Sequence, residues 1–179
     1  MRSIATFAPT PVRTNDREMQ VSEPQKTECV LILRRILDAP IERVWRAWTE
    51  AAELAQWYVA GDDHLIHSAE ADVRVGGVYR VAFGPPGKPP YFETGRYTEI
   101  VPMKRLAWRA EVVVDDDSRA AQLAKAESVV LELVDLGDGR TQIILTDTGD
   151  EVWRAGEGWM PCLASLARHL ANAHVAASA

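Results

Sequence analysis

Acid–base chemistry is offered by Glu93 and Glu99, six residues apart on one alternating stretch with Gly95 and Tyr97 between them. On a regular strand they share a face, and a pocket carboxyl with a raised pKa can move protons in cyclisation or enolisation. The plainer expectation is that they face solvent or pair across the sheet with Arg80, Arg96 or Arg109. His64 and His67, with Asp62-Asp63 before them, could hold a metal only with a third ligand, and nearby Gly61 points to a solvated loop. Ser165 and His169 are four apart on a helical stripe, but a nucleophilic serine also needs an orienting acid and an oxyanion hole. Neither is signalled, and G-x-S-x-G is absent. Cys29 and Cys162 have no metal-type spacing and sit in apolar stretches, as buried thiols do. No metal or cofactor is expected, since Gly76-Gly77 lacks the context of a phosphate-binding loop.

The remaining candidates are aromatic. Trp57, Tyr58, Phe83, Tyr97, Trp108 and Trp159 lie on separate elements. Brought together, they line an apolar ligand pocket with indole N–H and phenol O–H handles, or they fill it as a solid core.

The elements that would position them are legible from periodicity. Cys29 to Leu33 is too short and β-branched for a helix and reads as strand. Ile41, Val44, Trp45 and Trp48 recur at i, i+3, i+4 and i+7, a helical stripe over about 40–49 with Pro40 in its first turn. A second short helix spans about 51–58. Asp72–Val75 and Val78–Val81 alternate around Gly76-Gly77, which predicts a hairpin with a two-residue turn. Strands follow at Tyr91–Val101 and on the stripe Leu106, Trp108, Ala110, Val112 and Val114. Asp115-Asp116-Asp117 opens an acidic loop with room for a short helix to Ala126. A second hairpin turns at Gly137-Asp138-Gly139, and a last helix carries Trp159, Cys162, Leu163, Leu166 and Leu170 on one face. Within it Pro161 either bends the helix near 157–160 or stands in the first turn of its regular part. Strands joined by tight turns, with segregated helices, define an antiparallel α+β domain.

The 179 residues suit one domain at about 27–175 after a proline-containing, flexible tail at 1–26, with Met19 as an alternative start. Twenty basic against 26 acidic side chains give a net charge of −6, so nucleic acid and anionic membranes are not expected partners. Neither a membrane-spanning run nor a secretory h-region is present, and the expected compartment is the cytoplasm.

Arg35, Asp38-Ala39-Pro40, Val44-Trp45, Ala47-Trp48-Thr49, Leu54 and Trp57-Tyr58 begin an ordered set of motifs. It continues through Gly76-Gly77, Tyr79, Gly95, Tyr97, Glu99-Ile100-Val101-Pro102, Leu106 and Thr141 to Leu145-Thr146, Gly158-Trp159, Cys162-Leu163 and Leu166. Over about 27–172 the set resembles the activator of heat-shock-protein-90 ATPase homologue-like family, of the START / Bet v 1-type helix-grip superfamily. The resemblance implies about seven antiparallel strands wrapped around a long C-terminal helix, two short helices after the first strand, and a cavity between. Asp147 stands where such proteins often carry His.

The expected function is non-enzymatic binding of a small apolar or aromatic ligand in that cavity. A co-chaperone-type module with a chaperone partner is the alternative the resemblance implies, and a polyketide cyclase-like enzyme is the third. The eukaryotic activator has a further N-terminal domain, for which the tail here is too short.

Overall fold

The computed structural model describes residues 29–58, 64–113, 127–149 and 152–177. Strand β1 (Cys29–Leu37) leads into helices α1 (Ile41–Thr49) and α2 (Ala51–Trp57). Strands β2 (Leu65–Ala71), β3 (Val78–Gly84), β4 (Tyr91–Val101), β5 (Arg105–Val113), β6 (Glu127–Asp135) and β7 (Thr141–Gly149) follow, and helix α3 (Val152–Ala177) closes the chain. The seven strands form one antiparallel sheet in the order β1-β7-β6-β5-β4-β3-β2. Helix α3 packs against β1 and β7 and against both short helices, while α2 covers β2. This is the expected α+β helix-grip architecture. The tail, Gly61 and the acidic segment 115–126 lie outside the described residues.

Helix α1 presents Val44, Ala47 and Trp48 to the core, with Ile41 and Trp45 half-buried beside them. Pro40 is the residue before the first turn, and its carbonyl accepts from the amides of Arg43 and Val44. The three helices are tied at one point. Arg43 donates to Glu53 Oε2 at 2.7 Å, and His169 Nε2 meets the same oxygen at 2.6 Å. His169 is thereby engaged with Glu53 rather than forming a nucleophilic pair with Ser165.

Four local expectations are corrected. The hairpin of β2 and β3 is not joined by two glycines but by residues 72–77, closed by Asp72 N–H donating to the Val78 carbonyl at 2.9 Å. Gly76 (φ +82°) and Gly77 then continue the ladder onto β4, exchanging bonds with Tyr97 at 2.8 and 3.0 Å. His67 consequently lies in β2 rather than in a loop, exposed at a bulge, while His64 packs near Phe83 and Tyr91. Glu93 and Glu99 do not share a face, because β4 is bulged between Tyr97 and Glu99. One extra residue reverses the alternation. Glu99 turns outward and accepts from Arg105 at 2.8 Å. Of the expected arginines, Arg80 lies over the Phe92 ring and Arg96 bonds the Gly76 carbonyl. Finally, α3 begins at Val152, so of the two alternatives for Pro161 the first-turn position is excluded and the residue stands within the helix.

Candidate aromatic box

Beneath α1 and α2 the inward side chains of β3, β4 and β5 meet the helices in a box of rings. Trp48 is its hub, with ring centroids 4.7 Å from Trp57, 5.9 Å from Trp108, 6.1 Å from Trp159 and 6.4 Å from Tyr58. Two of these pairs, with Trp57 and with Tyr58, are edge-to-face, the arrangement the ring quadrupoles favour. A void lies among Trp48, Leu54, Tyr58, Tyr79, Tyr97, Leu106 and Trp108. Taken as the space a water's centre can occupy, it measures ≈ 10 Å³, about one water molecule.

The polar atoms of the box divide into satisfied and orphaned. Trp57 Nε1–H donates to the Ala47 carbonyl at 2.8 Å. That carbonyl is in the last turn of α1, where helix carbonyls lack intrahelical partners. Trp159 Nε1–H donates to Asp147 Oδ2 at 2.8 Å. Trp48 Nε1 and Trp108 Nε1 are buried and have no partner, and neither has Asp147 Oδ1.

Glu93 is the second acidic member. Tyr58 Oη and Tyr79 Oη both donate to its Oε1, each at 2.7 Å. Burial pushes the Glu93 pKa up and outweighs the two phenol bonds that favour its carboxylate, and the charge of Asp147 adds to the rise. Burial likewise raises Asp147 against the stabilising Trp159 bond. Both phenols are pushed well above the usual tyrosine range by burial and by the Glu93 charge, so they remain donors at neutral pH. Burial also lifts Tyr97 to about 12.

The backbone positions this pair through one glycine. Gly95 lies opposite Tyr79 in the ladder, and a Cβ at position 95 would stand 2.1 Å from Tyr79 Cε1 and 2.8 Å from its Oη. Only a residue without a side chain lets the ring lie across β4 and deliver its hydroxyl to Glu93, two residues away.

Of the six aromatic residues expected to form a pocket, Tyr58, Tyr97 and Trp108 line the void. Trp159 abuts Trp48, Tyr58 and Trp108. Trp57 sits behind Trp48 with its N–H used by α1, and Phe83 pairs with Tyr91 and His64 instead. Trp48, Leu54, Tyr79 and Leu106 complete the lining. Trp48 was legible only as a member of the α1 stripe, whereas Tyr79 carried a usable signal, alternating with buried Val81.

The family described as Activator of Hsp90 ATPase homolog 1-like protein matches residues 38–171. No curated protein matches the chain. Among solved structures, protein CV1439 from Chromobacterium violaceum is 28% identical, with 79% of this chain and 96% of that one aligned at a TM-score of 0.64. Protein Mll3558 from Rhizobium loti is 25% identical over 80% of this chain and 98% of its own, at 0.66. The AHSA1-like protein from Aeromonas hydrophila shares the fold at 0.67, with 21% identity over 82% and 94%. Among the described residues no helix is long and apolar enough to cross a membrane.

Proposed function

The chain belongs to the Activator of Hsp90 ATPase homolog 1-like family, and from that premise we propose that it binds a small, largely apolar molecule in the aromatic box. The observation that carries this reading is the void among seven inward side chains, two of which, Trp48 and Trp108, have a buried indole N–H with no partner among the described residues. Apolar walls with a few fixed polar groups are what small-molecule sites present. The void takes about one water, so a larger ligand needs its lining side chains to move aside. No pair of groups in the box forms an activated nucleophile, which favours binding over catalysis. A cytoplasmic location belongs to the same proposal.

The test is a panel of small aromatic and alicyclic compounds read by tryptophan fluorescence and thermal melting. Four of the six tryptophans stand in the box, so occupancy changes emission. A ligand at about 100 times its Kd stabilises the native state by roughly 2.7 kcal/mol, or roughly 5–10 °C in Tm for a chain of this size. A panel that moves neither signal refutes the proposal. The family match itself favours a second reading, a surface-mediated co-chaperone. Failure to bind or stimulate an Hsp90-type ATPase at micromolar concentration would remove it.

A further inference from the structure

We propose that the box is specific for a neutral ligand bearing a carbonyl oxygen, which accepts from the indole N–H groups of Trp48 and Trp108. The inference rests on the small-molecule reading above and adds the chemistry of the ligand.

Trp48 and Trp108 are each 2% exposed and neither Nε1 has an acceptor. Both rings line the same void and their centroids stand 5.9 Å apart. With no protein acceptor in reach, the void is where an acceptor can sit. A carbonyl oxygen has two lone pairs and can serve both donors, and its carbon skeleton suits the aromatic and leucine walls.

Charge narrows the class further. Glu93 lies one hydroxyl behind Tyr58 and Tyr79, and Asp147 lies one indole behind Trp159. No basic side chain lines the void. Two carboxyl groups without a cationic partner oppose a carboxylate or phosphate ligand. A cation would offer the two N–H groups nothing to donate to. A neutral ketone or ester satisfies both conditions.

The experiment compares 1-indanone with indane, which differ by the carbonyl, on the intact protein by calorimetry or fluorescence. Simple partition favours the hydrocarbon, because desolvating a carbonyl opposes burial. The expected result is the reverse: at least about tenfold tighter binding of indanone, since its carbonyl accepts from donors that the hydrocarbon cannot engage. In Trp48→Phe and Trp108→Phe the preference falls several-fold. In Trp57→Phe, whose N–H serves the Ala47 carbonyl, absolute affinity drops but the ratio holds. The infrared carbonyl stretch of wild-type-bound indanone provides a readout independent of any variant's folding, and it shifts to lower frequency. Equal binding of the two compounds, an unshifted stretch, or a preference that survives both substitutions overturns the inference while leaving apolar binding intact. If neither compound nor any of the wider panel binds, the small-molecule reading falls with it.

Discussion

Gly95→Ala tests the geometry on which the Tyr79–Glu93 contact depends. The new methyl carbon would lie 2.1 Å from Tyr79 Cε1, 2.6 Å from Cζ and 2.8 Å from Oη, distances at which one group must move. Tyr79 has little room to yield, being 4% exposed with ring centroids of Tyr97 at 5.8 Å and Trp108 at 6.3 Å. Overpacking of this kind costs roughly 1–3 kcal/mol. Displacing the hydroxyl from Glu93 adds roughly 1–3 kcal/mol, against a gain of about 0.4–1 from the stiffer unfolded chain. The net is a loss of about 3 kcal/mol, or roughly 6–12 °C in Tm. The assay is urea denaturation in two backgrounds. In Tyr79→Val, whose side chain ends short of the clash, Gly95→Ala becomes neutral or mildly stabilising. The two changes therefore couple by about 3 kcal/mol in a double-mutant cycle. A Gly95→Ala cost that is the same in both backgrounds, or below about 1 kcal/mol in wild type, refutes the assignment.

Two further outcomes follow from the buried and half-buried acids. Asp147 has a folded pKa above its ordinary value of 3.8, so the native state holds the proton more tightly than the unfolded chain. Its unfavourable contribution is absent below the unfolded pKa and grows by about 1.4 kcal/mol per pH unit up to the folded one. Asp147→Asn therefore gains stability relative to wild type as the pH rises above the unfolded pKa in urea melts, and a pH-independent difference contradicts this. Glu53 behaves oppositely. Burial alone would raise it, but the bonds from His169 and Arg43 and their charges outweigh burial and hold it below its ordinary 4.5. Its stabilisation is present above the unfolded pKa and is lost as pH falls through the folded value. Glu53→Gln should cost roughly 1.5–3 kcal/mol at pH 7, as charge-assisted bonds do, and progressively less as pH falls through the folded pKa; a cost that does not change with pH would refute the ionic role.

The strand order, the two short helices and the closing helix were legible because each rests on a period of 2 or 3.6 that side chains print on the sequence. What escaped was decided by the backbone. Val73 and Val75 alternate with charged neighbours as a strand would, yet the Asp72–Val78 bond closes the arm before them and Gly76-Gly77 is drawn to Tyr97. The bulge at Thr98 is equally silent: counting by twos carries Glu99 inward with Glu93, and only an unpaired residue turns it out to Arg105. Glu93 was legible as a candidate acid, but its two tyrosine partners come from α2's end and from β3, a convergence no local pattern encodes. Pro161 shows the limit of propensity. Its missing N–H fits either a helix bent nearby or one starting there, and α3, running through it from Val152, excludes the second.

The four indoles of the box separate a packed core from a site. All are buried aromatic surface, and for packing alone a phenyl ring would do similar work at each place. Trp57 and Trp159 have a further reason for nitrogen, since one serves the end of α1 and the other serves Asp147. Trp48 and Trp108 have none among the described residues. A buried donor left without any acceptor costs about 1–3 kcal/mol, a sizeable share of the roughly 5–15 kcal/mol by which a domain is stable. Phenylalanine would escape that cost. Under the proposed reading the two N–H groups are the source of specificity, because an acceptor-bearing ligand bonds them. A hydrocarbon of the same shape leaves them as they were.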